Sequence, residues 1–214
     1  MGGTGTANGE YQNPGERKKP VWPWVLLGCG ILAVVAVPIM AIVAAIAIPS
    51  LLAARRGSLE TNAVGSMRAY CSAQSMYHRN DWEMLGKGPG TQGTLEYARP
   101  YTWLNTQKDG SGTPIQLIDT AFANASVSNP PTGTTMPKHG YIFDDMQTLG
   151  GQPIDWLNDY GLCGTPSIYG RTGYRTFIVC TNGTVFGTDQ GLAGIVVAYP
   201  QDPSMANPPW IIAE

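Results

Sequence analysis

The first twenty or so residues show no hydrophobic period, and then the chain changes character abruptly. From Pro20 to Ala54 no residue is charged, a run of 35 residues, and its centre, Val25 to Ile48, is almost entirely apolar. As a helix that centre is about 36 Å long, enough to cross a hydrocarbon layer of about 30 Å. A buried core helix would keep a polar stripe. A cleavable signal peptide would carry a shorter apolar region, about 7–15 residues, ending in a small-residue site. The run therefore reads as a membrane-spanning helix, with Pro38 and Pro49 as points of bending within it.

Past Arg55 and Arg56 the pattern becomes amphipathic. Leu59, Ala63, Met67, Tyr70, Ala73 and Tyr77 recur at steps of three and four and line one helix face. One helix is expected from about Val25 to Tyr77, its face at Leu59, Ala63, Met67 and Tyr70 packing on a sheet further along the chain. Residues 81–112 read as a loop with short elements, rich in Gly, Pro and Thr. Thr113 to Ala123 has Ile115, Ile118 and Phe122 in helical register and predicts a short helix, with Thr113 as cap and Pro114 in its first turn.

Strand signals follow. Gly140 to Asp144 begins one strand run, and another lies around Tyr160 to Tyr169. Tyr174 to Cys180 is rich in β-formers, then comes Asn182-Gly183, then Val185 to Thr188. A two-residue Asn-Gly loop suits a type I′ hairpin. Centred there, Val179 faces Phe186, and Phe177, Val179 and Phe186 share the face that seats the helix. The whole predicts an α+β fold, one long N-terminal helix against an antiparallel sheet of about four strands.

Composition narrows the chemistry. Only 13% of residues are charged, the net charge is −2, and there are two histidines and four cysteines. That balance disfavours a nucleic-acid binder, a zinc enzyme and a disulfide-dense miniprotein. If the preceding hairpin centres on Arg171-Thr172, Cys163 and Cys180 face each other directly, within disulfide range. Two buried thiols are the other reading, and Cys71 is left over, packed under the helix. His78 and His139 have no nucleophile context nearby, and structural or surface roles are expected for both. Asp144-Asp145, and Asp155 with Asp159, are carboxylate pairs. Calcium is conceivable there, since hard cations want several oxygens, but no EF-hand pattern is present and a solvated acidic face is the default. No P-loop or dinucleotide fingerprint occurs. Leu26-Leu27-Gly28-Cys29 has the form of a lipobox, but a further apolar stretch follows it, so Cys29 reads as a small apolar residue of the span.

The exit from the apolar run carries a family resemblance. Ala44-Ala45-Ile46-Ala47-Ile48-Pro49 is followed by Leu51-Leu52-Ala53-Ala54-Arg55-Arg56 and, later, by Ala73-Gln74-Ser75-Met76-Tyr77. This resembles the N-terminal helix of type IV pilins and type II secretion pseudopilins, over about Ile42 to Tyr77. The strands from Gly173 to Asp189 also look like the C-terminal strands of some bacterial pilin-like proteins. The chain departs from the family pattern where its leader and conserved Glu would stand. With Pro49 aligned to the motif's proline, the mature start falls at Gly28 and the Glu position at Leu32, and the span holds no Glu. An uncleaved, permanently anchored form is the expectation.

The resemblance implies a non-enzymatic pilin-like structural subunit of a pilus or secretion-type filament, packing with like helices or envelope proteins in the bilayer. An anchored ectodomain that binds a ligand or protein partner is the alternative. The implied organisation is a disordered cytoplasmic tail (1–20), a transmembrane and amphipathic helix (21–80) and an extracytoplasmic α+β domain (81–214). The location is the bacterial inner membrane, with a single pass. Three basic residues before the span against two after it weakly favour an inside N-terminus.

Overall fold

A computed structural model describes residues 22–80, 95–109, 111–192 and 194–213. The expected tail, 1–20, lies outside them. The chain divides after Ser50 into two units, the second being Leu51–Glu214.

Helix α1, Trp22–Asn80, is unbroken over 59 residues and runs through Pro38 and Pro49. Proline removes a helical donor, and next to Pro49 the Ser50 hydroxyl donates to the Ala47 carbonyl at 2.9 Å. Within α1, Ala36 to Arg55 is exposed throughout. This is the one helix among the described residues long and apolar enough to cross a membrane, with a mean hydropathy of 2.4 in a window of which 0% is buried. Beyond it the character reverses: Ala63, Met67, Tyr70, Ala73 and Tyr77 are buried, and Leu59 packs beside them.

They are buried against a five-stranded antiparallel sheet in the order β1-β4-β5-β6-β8. Its strands are β1 Tyr141–Asp145, β4 Gly161–Pro166, β5 Arg175–Cys180, β6 Phe186–Asp189 and β8 Ile211–Ile212. Two-residue strands β2 Thr148–Leu149, β3 Gln152–Pro153 and β7 Ala198–Tyr199 make a second, small sheet. The fold is α+β, one long N-terminal helix with an antiparallel sheet.

A row of alternating ring and glycine runs across four strands. Phe143 pairs with Gly164, Gly164 with Phe177, and Phe177 with Gly187. A Cβ on Gly164 would lie 2.7 Å from the Phe143 ring, and one on Gly187 would lie 2.8 Å from Phe177. The rings therefore lie over the glycines, and Met67 of α1 comes down beside Gly164. Gly164→Val should lower stability by about 2–3 kcal/mol through overpacking, read as a lower melting temperature of the full chain in detergent. An unchanged melting temperature would show that the rings can move aside.

Both hairpin registers differ from the sequence expectation. In β5–β6, Ile178 faces Phe186 and Phe177 faces Gly187. The Asn182 side chain accepts the Thr184 amide and the Cys180 carbonyl accepts the Gly183 amide. The turn thus takes up Thr181 to Val185 rather than two residues. A one-residue slip turns a side chain to the other face, so Phe186 packs with Ile178 and Cys180, away from Phe177 and Val179. In β4–β5, Cys180 pairs with Gly161 and Cys163 with Ile178. The turn centres one residue early, on Gly170-Arg171, because Gly170 takes the positive φ of 76°. The two cysteines are then diagonal neighbours, whose Cα atoms stand about 7–8 Å apart, beyond the usual disulfide range. Cys71, Cys163 and Cys180 are all free thiols.

The expected helix at Thr113 to Ala123 shortens to α3, Thr120–Asn124, capped by Asp119 instead of Thr113. The residues before it use their amides elsewhere. Ile115 donates to Gln107 and Leu117 to Leu104, tying the segment to α2, Trp103–Thr106.

Candidate functional site

The residues expected to seat the helix divide into two groups. Met67, Tyr70, Ala63, Phe177 and Val179 belong to one buried cluster, with Leu59 at its margin. Tyr70 meets Tyr101 and Tyr160 edge-on, with ring centroids 6.3 and 5.4 Å apart. Phe186, Cys163 and Cys180 lie instead in the cluster on the opposite side of the sheet, with Ile178, Tyr199 and Trp210. The Cys163 thiol accepts the Val196 amide, and burial pushes it up to about 12, an inert packed thiol. Cys71 is half-buried, and burial raises it as well. Pro38 and Pro49 both lie inside α1.

Two polar side chains fasten the seam, and the apolar period did not single out either. Glu60 is buried, accepts the Tyr174 amide at 2.9 Å and meets Arg175 Nε at 2.8 Å. Gln74 is fully buried. Its Oε1 accepts the Ala98 amide at 2.8 Å, while its Nε2 donates to the Ala98 carbonyl and the Tyr70 hydroxyl. It therefore pairs with residue 98 as a neighbouring strand would. The sequence signal for Gln74 was an amide sitting inside an otherwise apolar stripe; Glu60, at the edge of that stripe, carried none. Glu60→Ala leaves the Tyr174 and Arg175 amides without their acceptor and the Arg175 guanidinium without its partner, and should cost about 2–3 kcal/mol. Urea unfolding of the full chain in detergent reads this, and a cost below about 0.5 kcal/mol would reduce Glu60 to a surface charge.

The most chemically distinctive place is a polar cleft of about 330 Å³, lined by Arg99, Ser128, Asn129, Asp144, Asp145 and Gln147, among others. Asp144 and Asp145 end β1 and point to opposite sides of the strand. Asp144 is buried and accepts a hydrogen bond from the Ser128 hydroxyl. Asp145 Oδ2 accepts the Tyr101 amide at 2.9 Å, whereas its Oδ1 is sealed from solvent without a partner. Burial, reinforced by Asp144, pushes the Asp145 carboxyl up to about 7, against the pull of the Tyr101 amide and Arg99. The Arg99 guanidinium stacks over Trp156, 5.1 Å from the ring centre.

A carboxyl that keeps its proton to neutral pH can donate a hydrogen bond or exchange a proton there. The other acidic pair does local work: Asp155 caps the turn at Leu157 and Asn158, and Asp159 accepts the Thr181 hydroxyl. Among the described residues no group of three His, Cys, Asp or Glu side chains could hold a metal ion. His78 stacks on Tyr97 at 4.4 Å, and His139 takes a positive φ of 49° in the turn before β1.

No curated protein and no solved structure matches the chain. Residues 47–201, from the end of the apolar run to just past β7, match the model of a family described as a protein of unknown function (DUF2950), and the chain belongs to that family.

Proposed function

We propose that this protein is a membrane-anchored, non-enzymatic structural subunit of the pilin type, whose helix packs against like helices in a pilus- or secretion-type filament. The observation that carries this reading is the division of labour along α1. Ala36 to Arg55 is left uncovered, and the half beyond Leu59 is built into the sheet. The outward face of that second half supports it. Ser58, Thr61, Gly65, Ala69 and Ser72 are exposed and small. The Thr61 and Ser72 hydroxyls turn back to carbonyls of their own helix, and Thr61, Gly65 and Ala69 form one wall of a groove beside Lys138 and His139 that a second helix can enter closely.

Cysteine placed at Thr61 or Ala69, in native membranes treated with a short bifunctional cross-linker, should give a ladder of multimers of this chain. A single adduct to a different protein would favour the alternative, an anchored ectodomain that binds a partner. That alternative draws on the polar cleft lined by Arg99, Ser128, Asn129, Asp144 and Asp145, where a ligand's polar groups would find partners. Monomer alone at both positions would count against the filament subunit.

A further inference from the structure

We propose that the β4–β5 hairpin tip, together with the basic pair Arg55-Arg56, is a surface that rests on an anionic lipid headgroup layer. The proposal rests on the membrane-anchored reading of α1.

In the second unit, Leu51 and Leu52 are the last residues of the apolar run, 71% and 46% exposed. Arg56 follows Leu52 by four residues, about 6 Å of helix, which is about the depth of one headgroup layer. At that level the sheet comes to the helix. Arg56 Nη1 donates to the Tyr174 hydroxyl at 3.0 Å, with its guanidinium 5.2 Å from the ring centre. Tyr174 packs edge-on against Tyr169, their centroids 5.4 Å apart.

The hairpin tip also carries an uncovered Ile168, 51% exposed, and an exposed Arg171. Tyrosine rings, an exposed aliphatic side chain and arginines gathered around one hairpin tip are the chemistry of a bilayer interface. Of the acidic groups facing this patch, Glu60 is neutralised by an arginine, and the single remaining carboxylate, Asp189, is outnumbered by the arginines. Asp189 accepts the Tyr169 hydroxyl at 2.8 Å, and Glu60 is bound to Arg175. Arg55, Arg56 and Arg171 are left to face phosphate, and the exposed Ile168 would be covered by lipid.

The test uses the full chain, with Cys29→Ala and Cys71→Ser, reconstituted in vesicles of phosphatidylcholine with or without phosphatidylglycerol. An environment-sensitive fluorophore is placed at Ile168→Cys, at Met205→Cys or at Ile42→Cys. Met205 is 84% exposed and lies by Pro203, which lines a groove with Cys180 at the opposite end of β5. In the anionic vesicles, headgroup nitroxide lipid should reduce emission at position 168 by about twofold and leave position 205 unchanged. Arg55→Glu with Arg171→Glu should abolish most of that quenching.

No quenching at 168, while mid-bilayer nitroxide quenches position 42, would overturn the hairpin contact and leave the anchor intact. No quenching at 42 would remove the anchor, and the proposal with it. Equal quenching at 168 in neutral vesicles, unaffected by the charge reversals, would overturn the assignment to anionic lipid.

Discussion

Met67→Asp should leave the sheet domain without a cooperative fold. Met67 has no exposed surface and lies beside Gly164 in the ring-and-glycine row. No basic group is among the buried residues around it. A carboxylate there must ionise unpaired in apolar surroundings or stay protonated without partners, and either costs several kcal/mol. With typical domain stabilities of about 5–15 kcal/mol, a loss above about 4 is most of the margin. Near-ultraviolet circular dichroism of the full chain in detergent should lose its tertiary signal, while the helical far-ultraviolet signal of the apolar half persists. Met67→Leu, which conserves volume, should cost less than about 1.5 kcal/mol. A native-like spectrum and melting temperature for Met67→Asp would take Met67 out of the core.

Asp145→Asn should remove a pH dependence of stability. The Asp145 carboxyl has an ordinary value of 3.8 and rises to about 7 when folded, chiefly through burial. The folded state thus holds this proton more tightly than the unfolded state does. Its contribution is fully present below about pH 4, falls as pH rises towards 7, and is lost above that. Three pH units at about 1.4 kcal/mol each set an upper bound on the order of 4 kcal/mol. Asparagine keeps an acceptor for the Tyr101 amide and cannot ionise. The variant should be more stable than the native chain at pH 8, by about 2–4 kcal/mol, and close to it at pH 4. Parallel stability profiles for the two proteins would show that Asp145 ionises freely in the fold.

Much of this architecture was legible in the pattern of side chains. The change from an uncharged run to a stripe of Leu59, Ala63, Met67, Tyr70 and Tyr77 identifies α1 and its buried face, because helical period and burial are one and the same constraint there. The β-formers from Arg175 to Cys180 identify the central strand for a similar reason. Register was not legible at this level. Gly170 and the Asn182 side chain each decide where a turn begins, and one residue at Asn182 sends Phe186 to the far face. The fifth strand, Ile211–Ile212, is too short for a period, and its pairing with β6 depends on the chain's far end returning to the sheet.

The far face itself was equally silent. Ile154, Tyr199 and Trp210 come from separate short segments, and nothing local announces that they converge. The candidate site divides in the same way. Asp144-Asp145 stands out as a pair of acids, but what distinguishes the two carboxyls is Ser128 on one and the Tyr101 amide on the other, both distant in sequence. Glu60 looks like any charge on an amphipathic helix until the start of β5 is brought to it.

The central claim is that the apolar half of α1 stays with the folded domain and holds it in a bilayer. Alkaline carbonate extraction of native membranes, followed by intact mass, tests it most directly. The account predicts that the protein stays in the membrane pellet at a mass near 22.8 kDa. Recovery in the carbonate supernatant, or a mass showing that the run up to about Ile48 has been cut away, would contradict it.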